Sequence, residues 1–239
     1  MKAHQRLIRE AHADEPSLFG AWWEKIDRNL GSAKAREIDT ATASAVILKY
    51  EWLGTMPQAV KRCFGLFFSG NIAGALVFAE KPGSNLSSDK TSIVPADAWY
   101  LARGACVHWA HEHSATWFIS KVCRDFLATP NCCVLAYSDP SAGEIGTIYQ
   151  ALNWKYIGVS AGGPTAATVD GKLITLRSFQ RDRKYSVGKS IKEVREAFAG
   201  KDVQAVGRKG RYVGVYGTRK YKKEMESRFA PHVLPYPKR

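Results

Sequence analysis

Apolar residues recur along this chain at helical and at strand spacing, and the changes between the two outline its elements. In SLFGAWWEKIDRNLG they fall at helical spacing and stop at a glycine, so residues 1 to about 31 read as helical. SAVILKYEWLG, residues 44–54, reads as the first strand. The longest apolar run, CFGLFFSGNIAGALVFAE, is broken by Ser69, Gly70 and Asn71, which makes it two strands of a hairpin and not a membrane span. EKPGSNLSSDKTSIVPAD follows as a loop and WYLARGACVHWAH as a long strand. Ser114 is placed to cap the helix ATWFISKVCRDFL. Next come the strand CCVLAYSDP, the helix GEIGTIYQALN and the strand WKYIGVSAGG. TAATV and KLITLRSF meet across Asp170-Gly171, a strong hairpin signal.

The remaining residues change character. Ser190 and Glu193 make a capping box for IKEVREAFAG, which ends on Gly200. VQAV and RYVGVYG flank GRKG as an expected basic hairpin, and RKYKKEMESRF reads as a last helix. Residues 1–171 hold 16 Lys/Arg and 16 Asp/Glu, whereas residues 172–239 hold 19 against 6, so the whole net charge of +13 sits in the last stretch. Such a segment attracts polyanions, because neutralised phosphates release condensed counterions. Its interleaved aromatics favour nucleic acid over a plain solvated face or a membrane surface. Arg208, Lys209, Arg211, Arg219, Lys220, Lys222 and Lys223 are the candidate DNA contacts. The chain of 239 residues, 45% hydrophobic, is long enough for a buried core. Its five cysteines are odd in number, lack a CxxC pair and lie in apolar runs, which points to reduced thiols and, with a polar start, to the cytoplasm.

Hairpins first and strand–helix crossovers later describe an α/β chain with one mixed central sheet. The expected division is a core at 1–171 and a basic α+β appendage at 172–239. Ligands of open α/β sheets bind beyond the carboxyl ends of the strands. Asp139 lies at such an end, Tyr149 in the helix that follows, and Ser114 atop the neighbouring helix. A carboxylate can deprotonate an attacking amine, a phenol can protonate a leaving group, and a hydroxyl at a helix N-terminus can hold developing negative charge. Each residue also has an ordinary reading as turn, core or cap; their joint placement is what points to a site. His108, His111 and His113 cluster near Cys106, but no spacing there matches a standard iron or zinc site, and strand-end histidines also serve as substrate contacts. Tyr50 and Trp52 can stack on a base or be core aromatics.

The strings WLGTMP, LARGACVHWAHEHSA and AYSDPSAGEIGTIYQALNW together resemble the Mom-type DNA adenine modification proteins of Mu-like bacteriophages, over roughly residues 45 to 160. The ending HVLPYPKR is similar to related phage proteins. The resemblance implies a GNAT-like fold, as does the element order, in which two parallel strands splay and the donor lies between them. It further implies conversion of adenine to N6-carbamoylmethyl (acetamido) adenine in double-stranded DNA, which blocks host restriction. Asp139 and Tyr149 are the implied catalytic residues, joined by Ser114 and Tyr50 and, toward the substrate, by Arg103, while the residues themselves add His108, His111, Trp109 and Trp52 as candidate substrate contacts. The glycine-rich pyrophosphate loop of ordinary GNAT enzymes is replaced here by HWAHEHSATWF, which argues against acetyl-CoA. A glycine-derived donor, delivered on tRNA or otherwise, fits the added atoms. Two alternatives stand beside this reading: a conventional acyl-CoA-dependent N-acetyltransferase and a non-catalytic DNA-binding protein.

Overall fold

The chain begins with α1 (His4–Ala13), then a 3-10 turn at Trp22–Lys25 and strand β1 (Lys34–Ile38). The structure, a computed structural model, describes residues 4–13, 22–80, 93–160, 166–170, 172–175, 191–206 and 208–238. The expected helical stretch over 1–31 is thus seen in two pieces, with 14–21 outside the described residues. The pattern of KAREI does not announce β1, because its positions are mostly exposed.

The first correction concerns SAVILKYEWLG, which forms not a strand but most of helix α2 (Thr40–Tyr50). Asp39 starts it: the carboxylate accepts the Thr42 backbone N–H at 2.7 Å and the Thr42 hydroxyl at 2.9 Å. Ala43, Val46 and Ile47 are buried while Leu48 is 54% exposed, a spacing of three and four that consecutive apolar letters conceal. The expected hairpin is present as β2 (Val60–Phe68) and β3 (Asn71–Ala79), turning through Ser69 and Gly70, both at positive φ. Residues 81–92 of the following loop lie outside the described residues.

Next come β4 (Trp99–Cys106), α3 (Ser114–Val122) with a π-helical turn at Cys123–Leu127, and β5 (Cys132–Ser138). Ser114 is the first residue of α3 and not its cap; His113 holds that place without a side-chain bond. The helix expected over 143–153 contracts to α4 (Thr147–Ala151), because Gly143 and Gly146 both turn through positive φ ahead of it. β6 (Lys155–Val159), β7 (Ala166–Val169) and β8 (Lys172–Thr175) follow, then α5 (Ile191–Ala197), β9 (Val203–Val206), β10 (Gly210–Tyr216) and α6 (Arg219–Phe229). The capping-box serine, Ser190, lies outside the described residues.

Strand pairing brings the second correction. β9 and β10 do not form a basic hairpin. β9 pairs with β7 in a three-stranded sheet of order β8-β7-β9. β10 enters the seven-stranded mixed sheet, order β1-β2-β3-β4-β5-β10-β6, antiparallel to both β5 and β6. RYVGVYG suits that central place: Tyr212 is buried on one face and Val213 on the other, as in strands covered on both sides. Both sheets therefore draw strands from either side of residue 171.

Helices cover both faces of the large sheet. Phe64, Leu66, Phe78 and Val134 pack with Phe118 and Val122 of α3 on one side. On the other, α2 covers Cys63, Ala75 and Val77, while α6 covers Cys133, Leu135 and Val213 through Met225 and Phe229. The small sheet packs Ala167 and Val169 against Val194 of α5.

Gly214 tests the place of β10, because a Cβ there would overlap the Trp154 indole. Gly214→Ala is expected to destabilise the protein by about 1–3 kcal/mol through overpacking, seen as a lower urea midpoint. An unchanged midpoint would mean that β10 does not lie against Trp154.

Candidate active site

The site begins where two parallel strands part. β4 and β5 pair only from Trp99–Val134 to Leu101–Ala136. At that point β4 has a bulge: Leu101 pairs with Phe78 and Arg103 with Val77, leaving Ala102 as the extra residue. A bulge bends its strand, and from there β4 follows β3 while β5 follows β10. The Ala102 carbonyl is taken up by Arg103 Nη1 at 2.7 Å. The result is a notch between the carboxyl halves of β4 and β5.

Charged groups gather at this notch. Asp139, 8% exposed, follows β5 directly, and its carbonyl accepts the N–H groups of Ala142 and Glu144, both at 3.0 Å. That tight turn brings Glu144 beside it. Lys209, just before β10, places Nζ 3.6 Å from Asp139 Oδ2, because Gly210 is held opposite Ser138 in the ladder. Glu51, just past α2, accepts the backbone N–H groups of Leu53 (3.0 Å) and Gly54 (3.1 Å) and lies 4.0 Å from Arg103 Nε. Arg103 also donates to Thr55 O at 2.8 Å, clamping this loop to β4.

Burial sets the proton affinities. Glu144 is raised to about 7, first by desolvation and then by the Glu51 and Asp139 charges, against the lowering effects of the Gln5 backbone N–H and Lys209. Glu51 is also raised by burial, opposed chiefly by Arg103. The Tyr149 phenol is pushed well above its ordinary value by desolvation, then by Glu144, Tyr100 and Glu51, so it stays protonated at neutral pH. Its ring stacks on Trp154 with centroids 5.3 Å apart and lies 5.3 Å from Tyr212. The C-terminal residues brace this stack: Tyr236 donates to Trp154 O at 2.9 Å and Leu234 N–H to Tyr156 O at 2.9 Å.

A second group of predicted residues lies against α1. Tyr50 packs between His12 (4.8 Å) and His108 (6.2 Å), and the Trp52 N–H donates to Gln5 Oε1 at 3.1 Å. Gln5 Nε2 donates to Tyr50 O. Since the Gln5 backbone N–H also reaches Glu144, the first turn of α1 joins the aromatic group to the acidic one. Trp109 is placed elsewhere, buried against Phe68 and Trp22. His111 sits in a surface turn, accepting the His113 N–H at 3.1 Å. Ser114 is 1% exposed, and its Oγ has no hydrogen-bond partner among the described residues.

The predicted DNA contacts separate into two sets. Arg208, Lys209 and Arg211 lie at the Asp139 end of β10, with Arg211 Nη2 donating to Ile157 O at 2.9 Å. Arg219, Lys220, Lys222 and Lys223 are exposed on α6, which starts from the other end of that strand, roughly 20 Å away at 3.3 Å per residue. Lys209, expected as a phosphate contact, is thus a member of the notch. Glu51 and Glu144 are its unforeseen members. Their signal was an acid set among small or apolar neighbours, in KYEWLG and in SAGEIG.

Fold and site together define an α/β protein with a charged notch between parting parallel strands and a separate set of exposed cations on α6. The family model of the Mom protein family matches residues 32–238, and the chain belongs to that family. It is accordingly a Mom-type phage DNA modification protein. Comparison with curated proteins finds no match. Among the described residues no helix is long and apolar enough to cross a membrane, and no group of three or more His, Cys, Asp or Glu is placed to hold a metal ion.

Glu144 makes stability depend on pH. Its folded proton affinity exceeds the unfolded one, so the stabilisation from its bound proton is complete below pH 4.5 and is lost as pH rises through about 7. Glu144→Gln, which cannot ionise, should gain stability relative to the parent between pH 5 and pH 8. Allowing for solvent screening of a half-buried group, the gain is roughly 1 kcal/mol by urea denaturation. An equal difference at both pH values would show that Glu144 ionises normally.

Proposed function

We propose that the chain is a transferase that acts on the exocyclic amine of adenine in DNA, giving N6-carbamoylmethyl (acetamido) adenine and so shielding phage DNA from host restriction. The observation that supports this reading is that Asp139 and a protonated Tyr149 are both coupled to Glu144, close to where β4 and β5 part. The amine is a weak nucleophile, since its lone pair is delocalised into the ring, and needs an acceptor for its N–H and a fixed trajectory toward the electrophile. Asp139 accepts that N–H. Tyr149 protonates what leaves.

Inside a duplex the amine is out of reach, so the base flips into the site at a cost of a few kcal/mol. Tyr50 and Trp52, gathered with His108 against α1, offer it a stacking surface. Ser114 Oγ, at the first residue of α3 and without a hydrogen-bond partner among the described residues, is the group assigned to developing negative charge, and a glycine-derived donor, carried on tRNA or otherwise, supplies the added atoms. The cations of β10 and α6 grip duplex phosphates.

Nucleoside mass spectrometry of DNA from cells expressing the chain should reveal a deoxyadenosine heavier by one acetamido group. Asp139→Asn and Tyr149→Phe should each lower its fraction by about 100-fold or more at unchanged DNA affinity. Unmodified DNA from folded protein, with DNA binding indifferent to both variants, would instead support the non-catalytic reading. An acetylated amine would support the acyl-CoA reading.

Affinity for duplex DNA should fall steeply with salt. Changing both Lys222 and Lys223 to Ala should reduce the slope of log K against log salt by about 2, at about 0.9 per phosphate contact. An unchanged slope would remove α6 from the interface.

A further inference from the structure

Three carboxylates, Glu51, Asp139 and Glu144, share the notch with two cations, Arg103 and Lys209. Two of the acids have a cation of their own. Asp139 lies 3.6 Å from Lys209 Nζ; Glu51 lies 4.0 Å from Arg103 Nε and also accepts two backbone N–H groups. Glu144 receives the Gln5 N–H and forms no ion pair among the described residues. With three acids against two cations, the acid with the least support is the one that exchanges a proton most readily near neutrality, and it enters the reaction in its ionised form.

Position makes that proton useful. The Glu144 N–H donates to the Asp139 carbonyl at 3.0 Å, so Glu144 is tied to the residue that meets the amine. After desolvation, its charge also helps to raise the proton affinity of the Tyr149 phenol. Glu144 is therefore linked to both residues assigned to the opposite ends of the transfer, by a hydrogen bond to one and by its charge to the other.

We propose that Glu144 is the proton carrier of the reaction, taking the proton that leaves adenine N6 and returning it to Tyr149. This rests on the transferase reading above. In the step, N6 forms a bond to the electrophilic carbon of an acetamido-type donor, and the bond from that carbon to its leaving group breaks, the electron pair departing with the leaving group. Tyr149 gives its hydroxyl proton to the leaving group. The N6 proton passes to the Glu144 carboxylate and from there to the Tyr149 phenolate. One proton has moved from N6 to the leaving group, and both side chains regain their starting forms. Asp139, paired with Lys209, holds the amine's other N–H.

Among the described residues, the charged and polar groups coupled to Glu144 are the Gln5 N–H of α1, Glu51 after α2, Asp139 after β5, Tyr149 on α4 and Lys209 before β10, with Arg103 of β4 paired to Glu51. Desolvation and the two neighbouring acids set its titration near neutrality, where a side chain both accepts and releases a proton readily.

Two measurements test this. In cells, Glu144→Gln should lower the modified deoxyadenosine fraction by about 100-fold or more with DNA affinity unchanged, while Glu144→Asp retains part of it. In protein labelled with 13C at the glutamate side-chain carboxyl, one signal should titrate near pH 7, vanish in Glu144→Gln and move to higher pH in Lys209→Met. Should Glu144→Gln fail to fold, the Lys209→Met shift still decides, because Glu144 is then intact. Wild-type modification by folded Glu144→Gln beside a loss in Asp139→Asn overturns the Glu144 assignment alone, and so does the lack of any glutamate signal titrating near neutrality. Unmodified adenine from the parent chain overturns the transferase reading itself.

Discussion

The parting of β4 from β5 is the constraint on which the rest of the site depends. A parallel ladder that continued past Leu101 and Ala136 would close the notch and leave no room for a substrate between the strands. The Ala102 bulge bends β4 away, and each freed strand is held by its other neighbour, β3 or β10. Backbone polar groups released in this way need new partners. Arg103 supplies one by donating to the Ala102 carbonyl, while its other nitrogens hold Thr55 and so the loop that carries Glu51. The residue that steadies the opening therefore also sets one wall of the site.

β10 has a comparable double role. Its ladder with β5 places Lys209 at Asp139, and its Tyr212 ring lies beside Tyr149. The strand also supplies Val213 to the core beneath α6. The basic C-terminal stretch is consequently part of the charged notch as well as of the charged surface. A strand that enters last in sequence and sits next to the strand bearing Asp139 couples formation of the site to completion of the sheet.

Crowding acids in a poorly solvated notch costs folding free energy, because desolvation and like charge both oppose ionisation. The two raised glutamates and the raised phenol are the local signs of that cost. Groups with such shifts are suited to moving protons near neutral pH, whereas a fully paired and solvated acid is not. The same desolvation that weakens the fold locally keeps Tyr149 a donor.

The sequence by itself determined the elements whose pattern is local. The β2–β3 hairpin follows from its turn residues and apolar run, α6 from charges around Tyr221, Met225 and Phe229, and the placement of Asp139 and Tyr149 from a strand followed by glycines and a short helix. It was misleading at SAVIL, where an unbroken apolar run hides a helical face, and at VQAV and RYVGVYG, where a plausible turn suggests a hairpin. Only the tertiary structure decided that β10 lies between β5 and β6, that Lys209 serves Asp139, and that Glu51 and Glu144 join the site from 88 and 5 residues away along the chain. The physical reason is range. Propensity, capping and turn chemistry act over a few residues and leave a mark in the letters. Strand order and the meeting of charges are set by which buried faces fit together across the whole sheet, and neighbouring residues carry no record of that.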